Sequence, residues 1–128
     1  GAVAMPIQNR YILCMGGVNY DIFLNAITTQ YNIHFNRLLT DEEKEQKNNA
    51  FSKTYMTQPI AYYKFNPECR IFDTKTNQWQ TIDVTPNATR AGATLVFKND
   101  TFYLVQGELK PGVRTPITWK GEIRLNAN

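Results

Sequence analysis

The segment VAMPIQNRYILCMGG, residues 3–17, contains two short apolar runs that are separated by the polar turn Asn9-Arg10 and followed by glycine. The segment ATLVFKNDTFYLVQG, residues 93–107, repeats this order 90 residues later, with Asn99-Asp100 at the turn. Two apolar runs of strand length joined by a tight polar turn are typical of a β-hairpin. The repeat therefore predicts two equivalent hairpins, and with them two sheets that stack on one another.

The second run of each hairpin, residues 11–15 and 101–105, is apolar almost without alternation. A strand with one solvated face normally alternates between apolar and polar residues, whereas a strand covered on both faces does not. We therefore expect both of these strands to be covered on both faces.

A third and a fourth strand are predicted by FDTKTNQWQTI, residues 72–82, which lies between the two repeats. Asp73 can accept hydrogen bonds from the amides of the polar turn. Trp79 can pack between two sheets. The first unit then has four strands in chain order, at about 2–8, 11–16, 69–73 and 79–84.

An insertion at about 18–61 separates the second of these strands from the third. Within it, Thr40-Asp41-Glu42-Glu43 is a capping-box pattern, which marks the beginning of a helix. The spacing predicts a helix over 41–56, with the charged run DEEKEQK on its solvated side. Its apolar face is expected to lie on the rim of a sheet and consists of Phe51, Tyr55 and Met56.

Length and composition describe one ordinary domain of 128 residues with a formal charge of +3. Lysine and arginine are not clustered, so we do not expect a nucleic-acid partner. No run of about 18 apolar residues is present, so we expect no membrane span. The first residues, GAVAMPIQNR, show no targeting segment.

The two cysteines, Cys14 and Cys69, are too far apart in sequence for a CxxC motif, and His34 is the single histidine. A metal site would therefore lack ligands, and we expect neither a metal nor another cofactor. We expect both cysteines to be small buried apolar residues, with a disulfide as the alternative. His34 is expected to be structural rather than part of a pocket.

The first unit resembles a kelch-type β-propeller blade. The resemblance rests on Gly16-Gly17 after the second strand, Phe72-Asp73 with Thr76 at the end of the third, and Trp79 at the start of the fourth. A kelch repeat is about 50 residues long, and the insertion extends this copy to 90. The resemblance implies an all-β fold, with a first blade at 1–86 and a second at 87–128.

The second blade is expected to be incomplete. After its hairpin, only ITWKGEIRL, residues 117–125, reads as a further strand. Two blades do not close a ring of about four to eight, and an open pair would expose apolar faces and an unpaired edge. We therefore expect about two blades of a larger propeller, completed by another chain, by copies of this chain or by residues outside it.

Four segments, in order, are similar to the sialic acid mutarotase (N-acetylneuraminate epimerase) family of six-bladed kelch-type propellers. They are MGGVNYDIF (15–23), FDTKTNQW (72–79), TRAGATLVFKND (89–100) and the most specific, GELKPGVRTP (107–116). The single strand that follows RTP resembles the circularly permuted branch of that family. The resemblance implies that Glu108 is the proton acceptor and that Arg114 is essential, in an enzyme that interconverts the anomers of N-acetylneuraminate. We expect a periplasmic or otherwise extracytoplasmic location.

The chemistry of an acidic sugar is consistent with these residues. Arg114 can meet a carboxylate with two parallel hydrogen bonds, and Lys110 can add positive charge. Glu108 can accept the proton of the anomeric hydroxyl when the ring opens. Pro111-Gly112 allows the chain to double back, so that Arg114 is aimed toward Glu108.

Two further residues are weaker candidates for substrate contact. Arg90 precedes an inner strand, where a structural salt bridge is an equal alternative. Asn19 follows the glycine pair, where it could instead close a turn.

Other interpretations of the whole site remain open. Glu108 and Arg114 could form a surface ion pair of little consequence. The propeller could be a noncatalytic scaffold that binds a protein or glycan. A sialidase-like hydrolase is less well supported, because no additional nucleophile and acid are recognisable.

Overall fold

The computed structural model describes residues 1–125, which form two compact units. The first unit consists of residues 1–18 together with the described residues from 65 onward, and it contains all the strands. The second unit, Asn19–Lys64, is the insertion and contains the helices α1 and α2 described below. The insertion was predicted at 18–61, so the observed unit extends three residues beyond the predicted end.

The first sheet is antiparallel, with its strands side by side in chain order. Its four strands are β1 (Val3–Ile7), β2 (Tyr11–Met15), β3 (Glu68–Asp73) and β4 (Gln78–Val84). The prediction of four strands in this order is confirmed, and every observed end lies within one residue of its predicted position.

The second sheet contains three antiparallel strands in the order β5, β6, β9. These are β5 (Thr94–Lys98), β6 (Thr101–Val105) and β9 (Thr118–Glu122). A separate two-stranded hairpin of β7 (Glu108–Lys110) and β8 (Val113–Arg114) connects β6 to β9. No fourth strand joins this sheet within residues 1–125.

The two hairpin turns differ by one residue. In the second hairpin Lys98 pairs with Thr101, which leaves the predicted two-residue turn Asn99-Asp100. In the first hairpin Ile7 pairs with Tyr11, so the turn has three residues rather than the predicted two. Its extra residue is Gln8, which is left-handed with a φ of 53°.

The core of the first unit lies between the two sheets. Along the first sheet, Met5, Leu13 and Ile71 are register partners, and alternate residues on each strand point to the same face. Leu104 of β6 belongs to the same buried cluster as Leu13, although it lies on the other sheet. The two sheets therefore share one apolar core, as neighbouring propeller blades do.

The outer face of the second sheet is not fully covered, contrary to the expectation for strand 101–105, whereas every residue of strand 11–15 is buried or partly buried. On the second sheet, Val96 and its register partner Tyr103 are 49% and 38% exposed. Trp79, expected between sheets, is 51% exposed and lies against Phe72 with ring centroids 5.0 Å apart.

The insertion contains two helices, α1 (Tyr20–His34) and α2 (Asp41–Met56), followed by a short 3-10 helix at Ile60–Tyr63. The predicted helix 41–56 and its capping box are confirmed, because Thr40 accepts from the Glu43 amide and Glu43 accepts from the Thr40 amide. Helix α1 was not predicted. Neither helix of the described chain is long and apolar enough to cross a membrane.

The turns at one end of the first sheet are joined by an ion pair. The Arg10 guanidinium donates to both carboxylate oxygens of Asp73, at 2.9 and 2.6 Å. Asp73 also accepts from the Lys75 amide at 2.9 Å, as predicted for a turn-bonding aspartate. Together these bonds connect the β1–β2 turn to the β3–β4 turn.

The cysteines are both free, and Cys69 is buried whereas Cys14 is partly buried. Cys69 is the register partner of Met15, so it points to the same face as Met15 and to the opposite face from Cys14. The alternative of a disulfide between them is therefore excluded by the strand register.

Candidate active site

The β7–β8 hairpin carries Glu108, the predicted base, and Arg114, the predicted partner of the sugar carboxylate. The hairpin is bonded to the segment that leads into the inner strand β5. Glu108 and Ala91 exchange two backbone hydrogen bonds, of 2.8 and 3.0 Å. Ala91 lies three residues before β5 begins. The base of the hairpin is therefore fixed to the segment that leads into the inner strand of the second sheet.

The Pro111-Gly112 turn reverses the chain as predicted. Gly112 has a φ of 78°, in the left-handed region that glycine adopts without steric cost. Glu108 is consequently the register partner of Arg114. The register slips between Glu108 and Lys110, so Lys110 pairs with Val113.

The side chains of Glu108 and Arg114 lie together on this hairpin. Oε1 of Glu108 is 3.6 Å from Nη1 of Arg114, an ionic contact that is longer than a direct hydrogen bond. The side chains are 33% and 63% exposed. A carboxylate and a guanidinium are thus adjacent and accessible to a ligand.

Arg90 lies beneath the hairpin and is only 3% exposed. Its Nη1 donates to the carbonyl oxygen of Gln106 at 2.8 Å and also to the carbonyl oxygen of Ile117. Burial lowers the pKa of the guanidinium. The observed partners of Arg90 are thus backbone carbonyls, rather than the carboxylate of the salt bridge considered from the sequence.

Sequence reasoning missed two residues that shape the base of the hairpin, Gly107 and Thr115. Gly107 has a φ of 102°, and a Cβ there would lie 3.1 Å from the carbonyl oxygen of Ala91. Thr115 is 5% exposed, and its amide donates to the Gly107 carbonyl at 2.9 Å. The glycine before Glu108 was the available signal, because close backbone approach commonly requires glycine.

Asn19 caps helix α1, since its side-chain oxygen accepts from the Ile22 amide at 3.1 Å. This bond gives Asn19 a structural role as the N-cap of the helix. Substrate contact by Asn19 and by Lys110 stays a prediction.

A cavity of about 150 Å³ lies elsewhere in the first unit, between the two sheets. Its walls include Cys69, Asp83 and Trp119. Glu108 and Arg114 do not line it. The candidate active site is the β7–β8 hairpin itself, where Glu108 and Arg114 lie together.

Comparison with solved structures defines the class of protein. The structure of YjhT aligns with a TM-score of 0.76 and 26% sequence identity, over 94% of this chain and 33% of the YjhT chain. The two stacked antiparallel sheets and this likeness define the chain as part of a kelch-type β-propeller.

The chain belongs to the N-acetylneuraminate epimerase family, whose model matches residues 1–128. An N-acetylneuraminate epimerase of Yersinia pestis (strain Pestoides F) is 29% identical over 126 residues, which are 98% of this chain and 30% of that protein. N-acetylneuraminate epimerase 1 of Escherichia coli O6:H1 is 30% identical over 121 residues, which are 91% of this chain and 29% of that protein. The chain thus spans about 30% of the length of these curated relatives.

Proposed function

We propose that the protein to which this chain belongs interconverts the α and β anomers of N-acetylneuraminate, and that this chain carries part of the active site. The family membership and the names of the relatives support this function. The observation that carries the proposal is the Glu108–Arg114 pair, in which a carboxylate and a guanidinium lie 3.6 Å apart and both are accessible.

Arg114 would recognise the carboxylate of the sugar. This carboxylate is attached to the anomeric carbon, so a partner that binds it also fixes the position of the reacting atoms. A guanidinium presents two parallel N–H groups that match the two carboxylate oxygens. Arg114 is 63% exposed, so its donors remain accessible to a ligand. Lys110, on the same hairpin, would add positive charge.

Glu108 would act as the base. Its carboxylate accepts the proton of the anomeric hydroxyl, the bond between the anomeric carbon and the ring oxygen breaks, and the ring oxygen takes up a proton. The resulting open-chain ketone closes again on its other face to give the second anomer. A positioned base contributes about 10²- to 10⁴-fold to such a step.

The remaining blades would complete the pocket. The chain spans about 30% of its curated relatives, and its outer sheet faces are exposed. We propose that other propeller blades cover these faces and that the isolated chain is inactive. We also propose a periplasmic or otherwise extracytoplasmic location, which fractionation of the source cells would test.

The test is the rate of anomer exchange of N-acetylneuraminate, measured by NMR with and without the full-length protein. We expect faster exchange when the protein is present. Binding of the sugar without faster exchange would favour a noncatalytic scaffold. Release of the sugar from a sialoside would instead indicate a hydrolase.

A further inference from the structure

Arg90 has the position of a support rather than of a ligand-binding group. Its guanidinium is buried, with 3% of the residue exposed, and lies beneath the hairpin that carries Glu108 and Arg114. A permanently charged group is rarely buried unless its hydrogen bonds are satisfied. The role of Arg90 therefore follows from the two carbonyl groups that accept hydrogen bonds from its Nη1.

Those carbonyls belong to the two ends of the hairpin connection. Gln106 lies two residues before Glu108, and Ile117 lies three residues after Arg114. One nitrogen of Arg90 thus bridges the segment that enters the hairpin and the segment that leaves it. The amide of Thr115 spans the same two segments, by its bond to the Gly107 carbonyl.

The entering segment needs such support because its backbone is in a disfavoured conformation. Gln106 has a φ of 56°, in the left-handed region that residues with a side chain seldom occupy. Conformations of this kind persist when surrounding contacts hold them. The carbonyl of this residue accepts one of the Arg90 bonds, and the backbone of Arg90 is itself held, because its carbonyl accepts from the Gly17 amide at 2.8 Å.

We infer that Arg90 is a positioning residue that holds the β7–β8 hairpin by its two ends, so that Glu108 and Arg114 keep their spacing. This inference rests on the proposed function only where it concerns catalysis. A displaced base loses rate steeply, since a shift of about 1 Å can cost about 10²-fold. Loss of Arg90 should therefore lower kcat and leave KM nearly unchanged, because Arg90 does not touch the substrate.

The test compares Arg90→Met with Arg90→Lys in the full-length protein. Methionine keeps much of the length and bulk but removes the donors, whereas lysine keeps one nitrogen that can bridge the two carbonyls. Arg124→Met is the control, because the Arg124 side chain is 86% exposed and pairs with Glu122, which is not part of the hairpin connection. If Arg90→Met does not fold, Arg90→Leu takes its place with the same expected results, because leucine also lacks donors.

Hydrogen exchange gives a readout that does not depend on activity. The amides of Glu108 and Thr115, both bonded to backbone carbonyls, should exchange about tenfold faster in Arg90→Met, and Arg90→Lys should restore part of the protection. Amides of β2 should keep their protection. Unchanged protection of the Glu108 and Thr115 amides in a folded Arg90→Met protein would overturn the inference, whether or not the protein proves to be a mutarotase.

Kinetics provides the second readout where the wild-type protein accelerates anomer exchange. We expect kcat to fall about 10- to 100-fold in Arg90→Met with KM within about threefold, and Arg90→Lys to recover part of kcat. A rise in KM with unchanged kcat would mean that Arg90 binds substrate directly, and it would refute a positioning role. The Arg124→Met control should keep both constants.

Discussion

Glu108 faces Arg114 across the β7–β8 hairpin, with Oε1 of the carboxylate 3.6 Å from Nη1 of the guanidinium. A pair this exposed contributes little to stability, about 0–1 kcal/mol. The hairpin beneath it is nevertheless held by the buried Arg90 and by two backbone bonds to Ala91. Firm support under an accessible charged pair is what a binding or catalytic site requires.

Substitution of Arg114 by lysine should weaken substrate binding. Lysine keeps the charge but cannot form two parallel bonds to a carboxylate. A hydrogen bond to a charged group is worth about 1.5–3 kcal/mol, and each 1.4 kcal/mol is about tenfold, so we expect KM for N-acetylneuraminate to rise about 10- to 100-fold. Steady-state NMR kinetics would measure this.

The control for that substitution is Arg124→Lys, on an exposed arginine that pairs with Glu122 at 3.4 Å. Its KM should equal that of the wild-type protein. An unchanged KM in Arg114→Lys would show that Arg114 does not bind the sugar carboxylate.

The Arg10–Asp73 pair should make the fold sensitive to acid. The Arg10 guanidinium holds the pKa of Asp73 below its ordinary value of 3.8. A carboxyl group whose pKa is lower in the folded state stabilises the fold above its ordinary pKa, and this contribution is lost as the pH falls through the folded value. The wild-type protein should therefore lose stability as the pH is lowered below about 3.8.

Asp73→Asn removes this contribution, so it should lower the melting temperature at pH 7 and flatten the acid limb of the stability curve. Glu122→Gln, in a more exposed pair, is the control and should change neither. An Asp73→Asn protein with the acid sensitivity of the wild type would contradict the assignment.

The capping box should stabilise the beginning of α2. Thr40→Ala removes the acceptor for the Glu43 amide, and loss of such a cap costs about 0.5–2 kcal/mol. We expect faster hydrogen exchange in the first turn of α2. Thr54→Ala, the same substitution at an exposed position inside the helix, should not speed exchange, because alanine has the higher helix propensity. Equal exchange in both variants would refute the role of the cap.

The buried thiol of Cys69 should be unreactive in the folded protein. Burial is the main reason that its pKa is raised to about 11, so little thiolate forms at neutral pH. Mass spectrometry after brief alkylation at pH 8 should find Cys14 modified before Cys69, and both modified after unfolding. Rapid modification of Cys69 in the folded protein would show that this core position is open.

The strands and α2 could be predicted because their signals are local. Apolar runs around polar turns define the hairpins, and the residues from Thr40 to Glu43 contain the whole capping box. The sequence does not predict helix α1, because DIFLNAITTQYNIHF is rich in β-branched and aromatic residues, which favour strands. From the sequence alone, its cap Asn19 reads as a turn or ligand residue.

The site was predictable in part for the same reason. Glu108, Pro111-Gly112 and Arg114 lie within seven residues, so turn chemistry alone brings the charges together. The burial of Arg90 depends on carbonyl groups 16 and 27 residues away, and no local pattern indicates them. The exposure of Tyr103 and Trp79 on the outer sheet faces is a tertiary property, and no local pattern indicates it.

Anomer exchange by Glu108→Gln tests the central claim most directly. The substitution keeps the shape of the side chain and removes its ability to take a proton, while the stability should change by less than about 1 kcal/mol. We predict that the full-length wild-type protein accelerates the exchange of N-acetylneuraminate anomers seen by NMR and that folded Glu108→Gln does not. Exchange at the wild-type rate in folded Glu108→Gln would contradict the role of Glu108 as the base.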